Sequence, residues 1–293
     1  MEFLSYYQTP LQNIRHPLLD EKRISLVVKR EDLNHPQVSG NKWWKLKWNL
    51  VKALQSQTKV LTFGGAFSNH IYATAAATKQ LGIPSIGVIR GEMILPLNPT
   101  LEFASRQSME LHFVSREAYR SHKDQIASSL ISTHGECFVI PEGGTNLDAI
   151  RGVAEFASSL PEGFDYIVLP VGTGGTMAGI VCGIQGNAHI LGVSVLKNGQ
   201  FLEKEVLRLC QQFASRPPTA KWNILTAYHH GGYAKVTKEL LNFIEMFREH
   251  SLPLDHVYTG KALYAFFEEV KRDKIKPGSS VLFLHTGGLQ GRL

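Results

Sequence analysis

The chain has 293 residues, 43% of them apolar and 19% charged, which suits a soluble globular protein with one large core or two smaller ones. Its net charge of +6 is scattered, the densest run (Lys271-Arg-Asp-Lys-Ile-Lys276) contains an acid, and no binding motif accompanies it; this argues against a nucleic-acid partner. Three distant cysteines (Cys137, Cys182, Cys210), none in a CxxC, argue against a disulfide framework or a zinc site and read as free thiols of a reducing compartment.

The first ten residues lack the basic start and apolar core of a signal peptide, so a cytoplasmic protein is expected. Strand-like and helix-like segments then alternate. A strand at 24–29 leads through a loop to a helix opening at Asn41. A buried strand at 60–63 leads through a Gly turn to a helix through the Ala-rich 73–77. Further apolar strands are expected at 86–89, 111–114, 138–140, 166–169, 190–195, 222–226 and 281–284. The uncharged stretch 167–185 is long enough to span a bilayer, but Pro170 and five glycines make it strand, loop and helix, so no membrane association is expected.

Short apolar strands separated by helices indicate parallel sheets covered on both faces. The units are too many for one small sheet and lack the regularity of a barrel. The expected fold is therefore α/β: two doubly wound domains with open, mostly parallel sheets and a binding cleft between them. The expected division is 1–54 plus 152–293 as a larger domain and 55–151 as a smaller one, with the first strand and Lys42 on the side of the glycine loop at 172–176.

Three strings carry the chemistry. Val171-Gly-Thr-Gly-Gly-Thr176 follows a strand and opens a helix, where unpaired N–H groups and the helix dipole favour a phosphate. Met177 breaks the dinucleotide pattern, and Ala262 after Gly260-Lys261 breaks the P-loop pattern. Gly40-Asn41-Lys42 puts a lysine at a helix mouth, able to condense with an aldehyde, and Lys45 one turn on can point into the same cleft. The competing reading is a surface amphipathic helix, with Trp44 and Trp48 as an i, i+4 pair. Gly64-Gly-Ala-Phe-Ser-Asn-His70 can supply Ser68 and Asn69 to a planar ligand, or these two can simply cap a helix.

Two more strings, Tyr258-Thr-Gly-Lys261 and His285-Thr-Gly-Gly288, are read as strand ends, where α/β sites gather. Their hydroxyls, Thr259 and Thr286, would be neutral partners for a cofactor, unable to hold a positive ring nitrogen as a carboxylate would. His229-His230-Gly-Gly-Tyr233 has no acid or cysteine at ligand spacing, so no metal is expected. A lysine for imine formation, a ring contact and a phosphate cup together meet the needs of pyridoxal 5′-phosphate.

In order and spacing these strings resemble the pyridoxal-phosphate enzymes of the aminocyclopropane-carboxylate deaminase and D-cysteine desulfhydrase family, in the tryptophan-synthase-β fold group. The resemblance runs from about Val28 to Gly288. It implies a homodimer acting on a small amino acid, with Lys42 attached to the cofactor, Lys45 at its phosphate and Asn69 at the ring hydroxyl. It further implies Gly172, Thr173, Gly174, Gly175 and Thr176 as the phosphate cup, Ser68 at the substrate carboxylate or in proton transfer, His70 beside it, and Tyr258 on the reacting face. Family deaminases look like Tyr-Glu-Gly-Lys and His-Leu-Gly-Gly, desulfhydrases like Tyr-Thr-Gly-Lys and His-Thr-Gly-Gly; Thr259 and Thr286 match the latter.

Trp43-Trp44 and Phe67 depart from the family pattern and imply a more aromatic pocket. The leading expectation is β-elimination from D-cysteine to pyruvate, ammonia and sulfide. The alternatives are deamination of aminocyclopropane carboxylate and, from another class, cofactor binding without catalysis.

Overall fold

The computed structural model describes residues 4–214 and 218–291. Its strands fall into two sheets, and the strand order of each explains where a ligand can sit. The larger sheet runs β1-β2-β10-β7-β8-β9, the smaller β5-β4-β3-β6. In the larger sheet these are β1 (Leu11–Ile14), β2 (Ser25–Lys29), β7 (Tyr166–Val171), β8 (His189–Ser194), β9 (Trp222–Leu225) and β10 (Ser280–Leu284). The smaller sheet holds β3 (Lys59–Gly65), β4 (Ser85–Arg90), β5 (Met109–Val114) and β6 (Cys137–Ile140).

All pairings are parallel except β1 with β2, whose register sets Leu11 opposite Lys29. The parallel strands are near-continuous apolar runs because helices cover both faces. β7, for example, is buried from Ile167 to Val171. The edge strand β1 alternates exposed and buried positions and follows Pro10, so its sequence gives no such signal.

In the larger sheet the chain leaves β7 toward β8, while β10 lies on the other side of β7; in the smaller it leaves β3 toward β4, with β6 on the other side. Each sheet thus has one switch point where neighbouring strands diverge, and loops after such strands open a crevice at their C-terminal ends. The four loops are 172–174 after β7, 285–288 after β10, 66–68 after β3 and 141–146 after β6.

Helix α2 (Asn41–Gln55) forms the shared wall. Its Trp43, Leu46, Leu50 and Ala53 recur at helical spacing and pack with Val60, Ala73, Ala76 and Ile140 of the smaller sheet's core. Its other flank meets α7 (Leu147–Ser158), where Gly152 lies so close that a Cβ there would stand 2.0 Å from the Trp44 carbonyl oxygen. The paired Trp44–Trp48 contact is not what orders this face. Trp44 stacks on Phe156, with ring centroids 5.3 Å apart, and gives its indole N–H to Glu31. Among the described residues no helix is long and apolar enough to cross a membrane.

Candidate active site

The loops at the two switch points frame an open cavity lined by Lys42, Lys45, Asn69, Thr173, Tyr258 and Thr286 among others. Its floor is the turn from β7 into α8 (Gly175–Gly183), where Gly174 takes φ +84° and frees the first N–H groups of the helix to face the cavity. Gly172, Thr173, Gly174 and Thr176 line it; Gly175 lies just behind, where a Cβ would stand 3.2 Å from Lys45 Nζ.

The mouth of α2 is tied down from two sides. Gly40, at φ +68°, lies against the loop after β10, and the Asn41 N–H donates to the Thr286 carbonyl at 3.2 Å. The Asn41 amide donates to Thr176 Oγ1 at 2.8 Å, fixing the helix to the glycine turn. Lys42 therefore projects into the cavity beside the turn, where its only hydrogen-bond partner among the described residues is Asn41 Oδ1 at 3.3 Å. Burial pushes its pKa down to about 8. Burial, with the Lys42 charge second, pushes Lys45 well below the ordinary lysine range. Lys45 donates to the Gly143 carbonyl and to Thr145 Oγ1, which in turn lies 2.6 Å from Thr173 Oγ1.

These features fit an anionic aldehyde cofactor. Among the described residues, two amines, a glycine turn at a helix N-terminus and no carboxylate line the cavity, so a phosphate finds donors and positive potential without repulsion. A lysine depressed to about 8 is partly neutral at physiological pH and so nucleophilic toward a carbonyl. From that value, covalent uptake of pyridoxal phosphate by the apoprotein should accelerate about tenfold per pH unit below 7 and level off above about 8. An ordinary lysine would keep accelerating toward pH 10; stopped-flow absorbance across pH 6 to 10 reads the difference.

The remaining expected residues divide. Asn69 and Thr286 line the cavity, and the Gln290 side-chain amide donates to Asn69 Oδ1 at 2.8 Å. Ser68 caps α3 (Asn69–Gln80), accepting the N–H groups of His70 and Ile71, and is not itself part of the lining. His70 is buried with its ring spent on Thr62, at 2.8 Å, and more loosely on Thr74; it cannot reach a substrate. Burial, then the two lysine charges, hold it neutral.

Tyr258 lines the cavity, but Tyr258-Thr259 opens a helix, α11 (Thr259–Lys271), instead of ending a strand. The cause is Asp255, whose carboxylate accepts the N–H groups of Val257, Tyr258 and Thr259 and so starts the helix. Thr259 is fully buried and gives its hydroxyl to the same carboxylate at 2.6 Å, so it is not offered to the cavity. Nor do the aromatic departures reach the pocket: Trp43 is buried in the core, Trp44 stacks on Phe156, and Phe67 is 66% exposed outside it.

Other residues join the site with little sequence signal. Gly143 and Thr145 come from the string Pro141-Glu-Gly-Gly-Thr-Asn146, whose only mark is its two glycines, at φ +65° and +67°. Tyr233 brings its hydroxyl 3.4 Å from that of Tyr258. Burial pushes both phenols up, Tyr258 well above the usual tyrosine value, so each stays a proton donor at neutral pH.

Fold and cavity together define a pyridoxal-phosphate enzyme of fold type II. The chain matches the family model described as pyridoxal-phosphate dependent enzyme over residues 3–287, and it belongs to that family. It is 30% identical to a bifunctional D-cysteine desulfhydrase/1-aminocyclopropane-1-carboxylate deaminase of Arabidopsis thaliana, over 98% of this chain and 78% of that one. A D-cysteine desulfhydrase of Yersinia pestis is 27% identical, over 96% and 91% of the two chains. A crystal structure of a homologue of aminocyclopropane-carboxylate deaminase superposes with a TM-score of 0.80 at 29% identity, covering 98% of this chain and 91% of the other. An L-serine ammonia-lyase from Rhizomucor miehei shares the fold at a TM-score of 0.69 and 16% identity.

Proposed function

We propose that this protein eliminates a β-substituent from a small amino acid, as a D-cysteine desulfhydrase does, giving pyruvate, ammonia and, from cysteine, sulfide. The observation that carries this reading is that, among the described residues, no carboxylate lines the cavity. Bound pyridoxal phosphate supplies an electron sink for the electrons left when a proton leaves Cα. A wall offering only hydroxyls, amides and amines does not hold a proton on the ring nitrogen, so the sink is a moderate one. Loss of a thiolate, a good leaving group, tolerates that; opening a cyclopropane needs more help.

In this reading Lys42 would hold the cofactor, and its amine would serve as the base for the α-proton. Lys45 and the turn 172–176 hold the phosphate, Asn69 meets the ring hydroxyl, and Thr286 faces the ring. Ser68 lies one residue before the lining Asn69 and has both backbone donors on its oxygen; its own proton would serve the substrate carboxylate only where the substrate reaches past the lining to the helix cap. Tyr258, with Tyr233 behind it, protonates the departing group. The Cα–H and Cβ–S bonds break, sulfur leaves with the electron pair, and water converts the unsaturated product to pyruvate and ammonia.

The division into 1–54 with 152–293 and 55–151 belongs to the same proposal, with α2 as the wall between. So do a cytoplasmic location, supported by three free thiols, and a homodimeric assembly.

Purified holoenzyme should release sulfide from D-cysteine, or chloride from β-chloro-D-alanine, at least tenfold faster than it opens aminocyclopropane carboxylate. Ring opening without sulfide release would overturn the reading.

A further inference from the structure

Outside the residues that line the cavity, at the end of a strand beside the loop that leads to Asn69, stands a cation that the reaction just proposed does not use, and it marks an outer rim. Arg90 ends β4, in register with Gly65 at the end of β3, directly before the loop that leads to Asn69. Its guanidinium lies over the bare face of that glycine: a Cβ on Gly65 would stand 3.4 Å from Arg90 Nη2. Among the described residues no hydrogen bond engages it. The nearest carboxylate, Glu142, is 3.9 Å away and is already held by Lys123 at 2.6 Å through its other oxygen. Arg90 and Lys123 stand 5.6 and 4.5 Å from the ring centroid of Tyr119, which is buried and gives both cations a fixed backing. Two cations against one carboxylate leave this rim net positive, and Arg116, whose Nε lies 3.9 Å from where a Cβ on Gly91 would be, adds to it.

The rim is electrically part of the site. Glu142 precedes Gly143, which lines the cavity. The Arg90 charge opposes the upward push of burial on Tyr233, the partner of Tyr258.

We propose that Arg90 is a specificity-determining residue, and that the preferred amino acid carries a second anionic group at the end of its side chain, as in cysteine S-sulfonate or O-phosphoserine. This rests on the reading of the cleft as an amino-acid lyase site. The guanidinium, half-exposed and paired only through its 3.9 Å contact with a carboxylate that Lys123 holds more closely, gives an incoming anion a bidentate donor at the cost of that one long ion pair. A neutral side chain leaves it solvated and gains nothing.

The test compares holoenzyme with Arg90→Met and Arg90→Lys, using cysteine S-sulfonate and β-chloroalanine in both stereochemical forms. The ratio of kcat/KM for the anionic over the neutral substrate should fall at least tenfold in Arg90→Met, through KM, and recover in part in Arg90→Lys. A second arm measures thermal protection of the holoenzyme by glutarate and by butyrate, neither of which can be eliminated. Wild type should prefer glutarate at least tenfold, and Arg90→Met should not. Equal losses for both substrates would place Arg90 at the α-carboxylate instead and overturn the proposal, as would an unchanged ratio. If no amino acid is turned over but the glutarate preference depends on Arg90, the lyase reading fails and the anion site stands.

Discussion

Replacing Lys42 by alanine is expected to remove the visible absorption band of the holoenzyme after dialysis and to lower turnover by about 10³-fold or more. No other residue can take its place. Among the described residues Lys45 is the only other amine in the cavity wall, and it is held by the Gly143 carbonyl and the Thr145 hydroxyl and faces the glycine turn. Lys42 makes one side-chain hydrogen bond among the described residues, at 3.3 Å to its own neighbour, and so keeps its lone pair available once deprotonated. Lys45→Ala should leave attachment intact but weaken retention of the cofactor about 10- to 100-fold, the range for loss of one charge-assisted contact to a phosphate. Borohydride reduction followed by peptide mapping distinguishes the two amines. A label on Lys45 would reverse the assignment.

What could be read from the sequence was what one strand, turn or helix start dictates by itself. The parallel strands announce themselves because burial on both faces requires unbroken apolar runs, as in Ile167 to Val171. The glycine turn and the Lys42 mouth are equally local, since each needs particular residues at adjacent positions. Contacts made across the fold left no such mark. Thr259 looks like a cofactor ligand in the string Tyr258-Thr-Gly-Lys261, yet Asp255, four residues back, claims its hydroxyl and turns the segment into a helix. Trp43, Trp44 and Phe67 stand next to site residues in sequence but point elsewhere, because a helix and a turn send neighbouring side chains in different directions. Thr145 matters only through Lys45 and Thr173, respectively 100 and 28 residues away along the chain.

Thr259 also limits how the activity can be redesigned. A glutamate there would bury a second carboxylate against Asp255, which is itself buried. Two such groups cannot both ionise at close range, so one must bind a proton or the helix start must open. Exchanging Thr259 alone for the glutamate of the deaminase pattern is therefore no simple transfer of chemistry.

The closest approach of backbones in the site lies between Gly40 and the loop after β10, and Gly40→Ala should show what that contact is worth. A Cβ at position 40 would stand 1.9 Å from the Thr286 carbonyl oxygen and 2.7 Å from the Gly287 nitrogen, both main-chain atoms that cannot rotate away. The residue also sits at φ +68° and ψ −144°, a region that glycine alone occupies without strain. The strain and the collision together should destabilise the protein by about 3 kcal/mol or more. The mouth of α2 must also shift from Thr286, carrying Lys42 with it, so the variant should lose cofactor as well as stability. Gly82→Ala is the control: its φ is +69°, but nothing lies within 4 Å of a Cβ there. It should cost only about 1 kcal/mol, the strain of a left-handed alanine, and keep its cofactor. Chemical denaturation and absorbance of the two holoenzymes, measured side by side, give both quantities. Equal stability and equal cofactor retention would mean that the helix mouth and the loop are not held in contact, and the positioning of Lys42 would then need another cause.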